Sequence, residues 1–131
     1  MTPWGYHLML DCARCIPYSI RNKGNIGLFS ATLVGNINMV AYGPPTIQHF
    51  GTGDKSGYTL IQLIETSNIA AHFCEETDDM YLDVFSCKPF DPHDVEATVK
   101  RFFSPEHMNR TFLTRQAEQR HGLAPRTYEL I

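Results

Sequence analysis

Three side chains in the middle of the chain have the types and spacing to act on a carbonyl: Ser67, His72 and Cys87. A hydroxyl becomes a nucleophile beside a base, imidazole is the usual base, and a thiol can give up a proton. The stretch ETSNIAAHFC, residues 65–74, sets Ser67 where two β-rich runs meet and His72 inside the second of them. The following run, MYLDVFSC, ends in Cys87 and puts Tyr81, Asp83, Phe85 and Cys87 on one face. Each residue also has a plain role. Serine at a strand end commonly forms a turn, histidine in an apolar strand is commonly a hydrogen-bonded core residue, and cysteine packs as a small hydrophobe. On neighbouring antiparallel strands, however, the three would meet as nucleophile, base and acid at one end of a sheet.

The elements that must position them read as follows. YHLMLD (6–11) is a short, partly alternating opening strand, closed by CARC. NIGLFSATLVGNIN (25–38) spaces Ile26, Phe29, Leu33 and Ile37 by three and four, which predicts an amphipathic helix despite Gly27 and Gly35. MVAYG and TIQHF form a second strand broken at Pro44-Pro45, and GTGDKSG (51–57) is a turn-rich loop. YTLIQLIETS, NIAAHFCEE and MYLDVFSC are strands. DPHDVEATVKRFF (91–103) is a helix capped by Asp91 before Pro92, with Val95, Val99, Phe102 and Phe103 on one side. RTFLTRQA (110–117) is a last strand, followed by a polar, peripheral tail from about residue 118. The order β, α, β, β, β, β, α, β describes one α+β domain over residues 1–131, a two-layer sandwich with an antiparallel sheet backed by helices.

Composition narrows the function classes. A net charge of −3 and a pI near 6 offer no basic surface for nucleic acid. No apolar run approaches the ~20 residues of a membrane helix. The first residues, MTPWGYHLMLD, carry no basic leader, so the expectation is a cytoplasmic protein whose cysteines, Cys12, Cys15, Cys74 and Cys87, are free thiols. Cys12 and Cys15 have half the spacing of a zinc site, but no second CxxC or histidine pair follows, so the pair is read as structural and no metal is expected.

The run LIQLIETSNIAAHFCEETDDMYLDVFSCKPFDPHDVEATVKRFF resembles the short prokaryotic S-adenosylmethionine decarboxylases. Their pattern is an apolar strand, Glu-Ser-His, an apolar triplet, a second His, and then a strand like Asp-Val-Phe-Thr-Cys. Ser67, His72, Glu76, LDVFSC and Cys87 fall into it without a gap, and GYHLMLD is similar to the family's Gly-x-His-Leu start. The resemblance covers roughly residues 4–117. It implies the S-adenosylmethionine decarboxylase-like fold and an enzyme that carries a pyruvoyl group instead of a bound organic cofactor. The serine attacks the carbonyl before it, β-elimination cuts the chain, and the dehydroalanine left behind hydrolyses to the pyruvoyl group.

By that resemblance the Thr66–Ser67 bond is cut, His72 is the processing base, and Thr59 supplies an auxiliary hydroxyl, with Ser56 its rival if the loop is slipped. The pyruvoyl carbonyl would form a Schiff base with the substrate amine, and Cys87 would protonate the product's α-carbon. A thiol of ordinary pKa, about 8.5, is mostly protonated at neutral pH and suits that role. Phe50 would stack on adenine, and Glu76 would pair with the sulfonium or hold a hydroxyl. The product would feed spermidine synthesis, and the family's active sites lie where two subunits of a homodimer meet.

The chain departs from the pattern around the scissile bond and the pocket. Thr66 stands for the usual Glu, Asn68 for His, Cys74-Glu75 for Trp-Pro, and the 51–57 loop is about three residues longer than usual. Two other readings therefore stay open: a pyruvoyl-dependent arginine or ornithine decarboxylase, or an unprocessed ligand-binding homologue.

Overall fold

The alternating run expected at residues 6–11 is strand β1 (Gly5–Ala13) in the computed structural model of the chain, which describes residues 2–118. Leu8, Leu10 and Cys12 are buried on one face of β1, as a period of two requires. Cys12 and Cys15 both end in the core, where burial pushes each thiol up to about 12. Arg14, between them, takes a left-handed turn at φ 54° that carries the chain out of the strand. A short helix α1 (Pro17–Ile20), not expected from the sequence, leads into α2 (Lys23–Asn36).

Helix α2 starts two residues before the predicted boundary because the Asn22 side chain accepts from the Asn25 N–H and caps it. Ile26, Phe29 and Leu33 are buried along it, and Ile37 is buried just past its end. Asn38, at φ 57°, then redirects the chain. The broken strand expected from Met39 survives only as β2 (Thr46–Phe50) and an isolated bridge between Ala41 and Ile64. Pro44 and Pro45 have no N–H to donate to a ladder, which accounts for the gap. Beyond a one-turn 3₁₀ helix (Gly53–Lys55) come β3 (Gly57–Ile64), β4 (Ser67–Cys74) and β5 (Asp79–Ser86).

Helix α3 (Pro92–Phe103) begins as expected: the Asp91 carboxylate accepts from the His93 N–H, and Pro92 sits in the first turn. That bond and a second from the His93 ring hold the Asp91 carboxyl below its usual range. Strand β6 (His107–Arg115) closes the described chain. The tail expectation, from residue 119 onward, falls outside the described residues.

The six strands form one sheet in the order β2-β3-β4-β5-β1-β6, with every neighbouring pair antiparallel. Helices α1, α2 and α3 cover one face, and the core lies between. Phe29 meets Phe103 edge-to-face at 4.8 Å, and Phe103 meets Phe73 of β4 at 5.3 Å. Truncating Phe103, fully buried at that junction, would cost about 3–5 kcal/mol. The opposite face keeps Ile61, Leu63, Tyr81 and Leu113 exposed, and among the described residues no element packs against it.

Candidate active site

Ser67 opens β4 directly after a two-residue turn, Glu65-Thr66, and its cross-strand partners are Ile64 on β3 and Ser86 on β5. Tight hairpins usually place positive φ at the turn centre to match the twist of the strands. Here neither Glu65 nor Thr66 does so, and Ser67 is already extended, at φ 158°. The turn is held on both sides. On one, the Glu65 N–H donates to the Val40 carbonyl and the Tyr42 N–H to the Leu63 carbonyl, which brings Met39 alongside. On the other, the Cys87 N–H donates to the Thr66 carbonyl at 3.0 Å. That carbonyl belongs to the bond Ser67 would attack. The Cys87 side chain is exposed one residue past the end of β5.

The Thr66 side chain is also fixed. Ser86, fully buried, donates from Oγ to Thr66 Oγ1 at 2.8 Å and accepts from the Lys88 N–H at 2.9 Å. Thr66 in turn donates to the Met39 thioether at 3.3 Å. Sequence reasoning missed this network. Its one legible signal is that Ser86 shares the buried phase of β5 with Met80, Leu82 and Val84, where a hydroxyl needs a partner.

The remaining candidates gather at the other end of the same strands. His72 on β4 is exposed and faces Thr59 across β3, with Nδ1 3.3 Å from Thr59 Oγ1. Ser56, the rival hydroxyl, instead ends the loop before β3, where its carbonyl accepts from the Glu75 N–H. Gly57 sets the Thr59–His72 register: a Cβ there would collide with the Phe73 carbonyl, so only glycine lets β3 approach β4 so closely. Phe50, at the end of β2, pairs with Gly57 and is 60% exposed. Glu76 lies exposed in the turn between β4 and β5, while its neighbour Glu75 pairs with His49 at 2.8 Å. A cavity of about 320 Å³ opens beside His72, lined also by Asp54, Lys55, Phe73, Cys74 and Tyr81. Cys74, where the resemblance expects Trp, uses its thiol to hold the Asp54 carbonyl at 3.2 Å. Burial raises the Tyr81 hydroxyl's pKa above its ordinary value.

The register thus brings Ser67 and Cys87 together but not His72. Five residues of β4 separate Ser67 from His72, a run of about 17 Å at the rise of an extended strand. Within one chain the candidate residues fall into two groups: Thr66, Ser67 and Cys87 at one end of β4, and Thr59, His72, Phe50 and Glu76 at the other. Among the described residues, no three His, Cys, Asp or Glu side chains gather as a metal site.

The sequence profile described as S-adenosylmethionine decarboxylase matches residues 6–116. The chain belongs to the S-adenosylmethionine decarboxylase family. A solved structure, the adenosylmethionine decarboxylase from Aquifex aeolicus vf5, is similar with a TM-score of 0.77 and 17% identity, over 95% of this chain and all of that one. At that identity the likeness speaks for the fold. Comparison with curated proteins gives no match. Family and fold together indicate an S-adenosylmethionine decarboxylase.

Proposed function

We infer that the chain is a self-processing, pyruvoyl-dependent S-adenosylmethionine decarboxylase that works as a homodimer and supplies the aminopropyl donor for spermidine synthesis. The observation that carries this reading is the Cys87 N–H held 3.0 Å from the Thr66 carbonyl, at the turn that leads into Ser67. A donor at that distance suits the oxyanion formed when Ser67 Oγ attacks. The acyl group of Thr66 moves from nitrogen to oxygen, so an ester replaces the peptide bond and the Ser67 amine is freed. Loss of the Ser67 α-proton then expels the Thr66 carboxylate. Addition of water and departure of ammonia leave the pyruvoyl group at position 67, for a net consumption of one water and release of one ammonia.

The surroundings fit such a group: Ser67 is partly buried at a strand start, and the exposed Cys87 follows its cross-strand partner Ser86. When formed, the pyruvoyl carbonyl takes up a substrate amine and drains the electrons left as carbon dioxide departs. The chain's own residues do the rest. Cys87 gives a proton to the product's α-carbon, Phe50 stacks on adenine, and Glu76 faces the sulfonium or a ribose hydroxyl. His72, oriented by Thr59, moves the proton in self-cleavage.

A gap of about 17 Å along β4 excludes His72 from the Ser67 of its own chain. A two-fold axis lying between two apposed helix-free faces and running across the strands would set each Ser67 end of the sheet against the partner's His72 end. The exposed apolar side chains of that face, Ile61, Leu63, Tyr81 and Leu113, support a second copy as its cover. Release of labelled carbon dioxide from carboxyl-labelled S-adenosylmethionine, arginine and ornithine tests the assignment. Activity on S-adenosylmethionine alone is expected. Activity confined to the two amino acids would replace the substrate, and activity on none would favour a binding protein.

A further inference from the structure

Thr66 stands where the resemblance expects a carboxylate, and its hydroxyl lies in a hydrogen-bonded cluster with Ser86, Met39 and the Lys88 N–H. The Lys88 N–H can only donate, so Ser86 Oγ accepts from it at 2.9 Å. Ser86 Oγ lies 2.8 Å from Thr66 Oγ1 and 3.6 Å from Met39 Sδ, and Thr66 Oγ1 lies 3.3 Å from the same sulfur, a group that can only accept, so the two hydroxyls and the thioether form a closed triangle. Ser86 is fully buried, Met39 is 7% exposed and Thr66 is half-buried, so water reaches this cluster only from the Thr66 side. A β-branched side chain held at its oxygen is confined at χ1, and the backbone beside it is restrained through the rotamer's steric contacts. The carbonyl of that plane is held from a second direction by the Cys87 N–H.

We propose that Ser86 is a positioning residue for self-cleavage: with Met39 it clamps the Thr66 hydroxyl and so holds the Thr66–Ser67 peptide in the orientation that Ser67 attacks. This rests on the self-processing reading and adds to it a residue that touches none of the reacting atoms. The clamp replaces a charged side chain before the nucleophile with a neutral one that the core itself orients. Tenths of an ångström at a scissile carbonyl matter because attack needs the reacting atoms near van der Waals contact with orbitals aligned.

The test is the rate of appearance of the 1–66 fragment after pulse synthesis, followed by mass spectrometry for wild type, Ser86→Ala, Ser86→Thr and Thr66→Val, with thermal melting as the control for folding. Ser86→Ala is expected to slow cleavage by about tenfold or more, the effect of one lost buried hydrogen bond. Ser86→Thr, which restores the hydroxyl, is expected to return the rate to within about twofold of wild type. A folded Ser86→Ala chain that cleaves at the wild-type rate overturns the proposal, as does a folded Ser86→Thr chain as slow as Ser86→Ala. Should Ser86→Ala fail to fold, Thr66→Val decides: slowed cleavage supports the clamp and unchanged cleavage overturns it. A wild-type chain that never cleaves defeats the self-processing reading itself, an outcome distinct from a cleaving wild type with an indifferent Ser86.

Discussion

His72 holds Thr59 across the β3–β4 ladder, Nδ1 to Oγ1 at 3.3 Å, while Ser67 stands five residues away on the strand that carries His72. An extended strand cannot fold back to close that gap, so the proposed service of His72 to Ser67 requires a second copy of the chain.

Mixed dimers report this directly. Ser67→Ala and His72→Ala chains, each expressed alone, are expected to stay whole. Co-expressed, the His72→Ala chain is expected to be cut, because its Ser67 meets the partner subunit's His72, while the Ser67→Ala chain stays whole. Mass spectrometry of differently tagged chains reads the result, and a mixture with no cut chain would place the base elsewhere.

Cys87 contributes in two separable ways. Its backbone N–H holds the Thr66 carbonyl, and its exposed thiol is the proposed proton donor. Cys87→Ala keeps the first and removes the second. Self-cleavage is expected to continue while decarboxylation falls by about 10²-fold or more, the usual share of a general acid. Fragment yield and carbon dioxide release, measured on one preparation, check both. Unchanged turnover would return Cys87 to a structural role.

Phe50 projects from the end of β2 with 60% of its surface exposed, which leaves a flat face open to a purine. Stacking contributes about 0.5–1.5 kcal/mol beyond the area it buries. Phe50→Ala is expected to raise KM for S-adenosylmethionine several-fold with a smaller effect on kcat. An unaltered KM would remove Phe50 from the adenine site.

The two core thiols set an alkaline limit. Burial moves Cys12 and Cys15 from 9.0 to about 12, so an unfolded chain loses both protons before the folded chain does. The unfolded state binds fewer protons between those values, and stability falls as pH rises through that window. Urea midpoints at about pH 8 and about pH 10.5 should drop more steeply for wild type than for a Cys12→Ala/Cys15→Ala variant. Parallel slopes would mean that these thiols are not buried.

Much of the scaffold was legible because alternation and capping are local. Leu8 and Leu10 announced β1, and Asp91 before Pro92 announced α3 to the residue. Helix α1 was not legible, since four residues carry no period, and the strand expected at Met39 failed where two prolines removed the donors. The candidate residues were readable as types, but where the fold places them relative to one another was not. Ser67 and His72 lie on β4 and Cys87 just past the end of the adjacent β5, yet proximity depends on how far along each strand a residue sits, and that register is set by turns and by Gly57. Ser86 was hidden for another reason: its importance is a partner, Thr66, that only pairing reveals.

The intact mass of the purified wild-type protein tests the central claim most directly. Two fragments are predicted, residues 1–66 and 67–131, the second lacking an amino terminus and reactive towards a carbonyl reagent at position 67. A single full-length mass, stable for days at neutral pH, would contradict self-processing and with it the proposed catalysis.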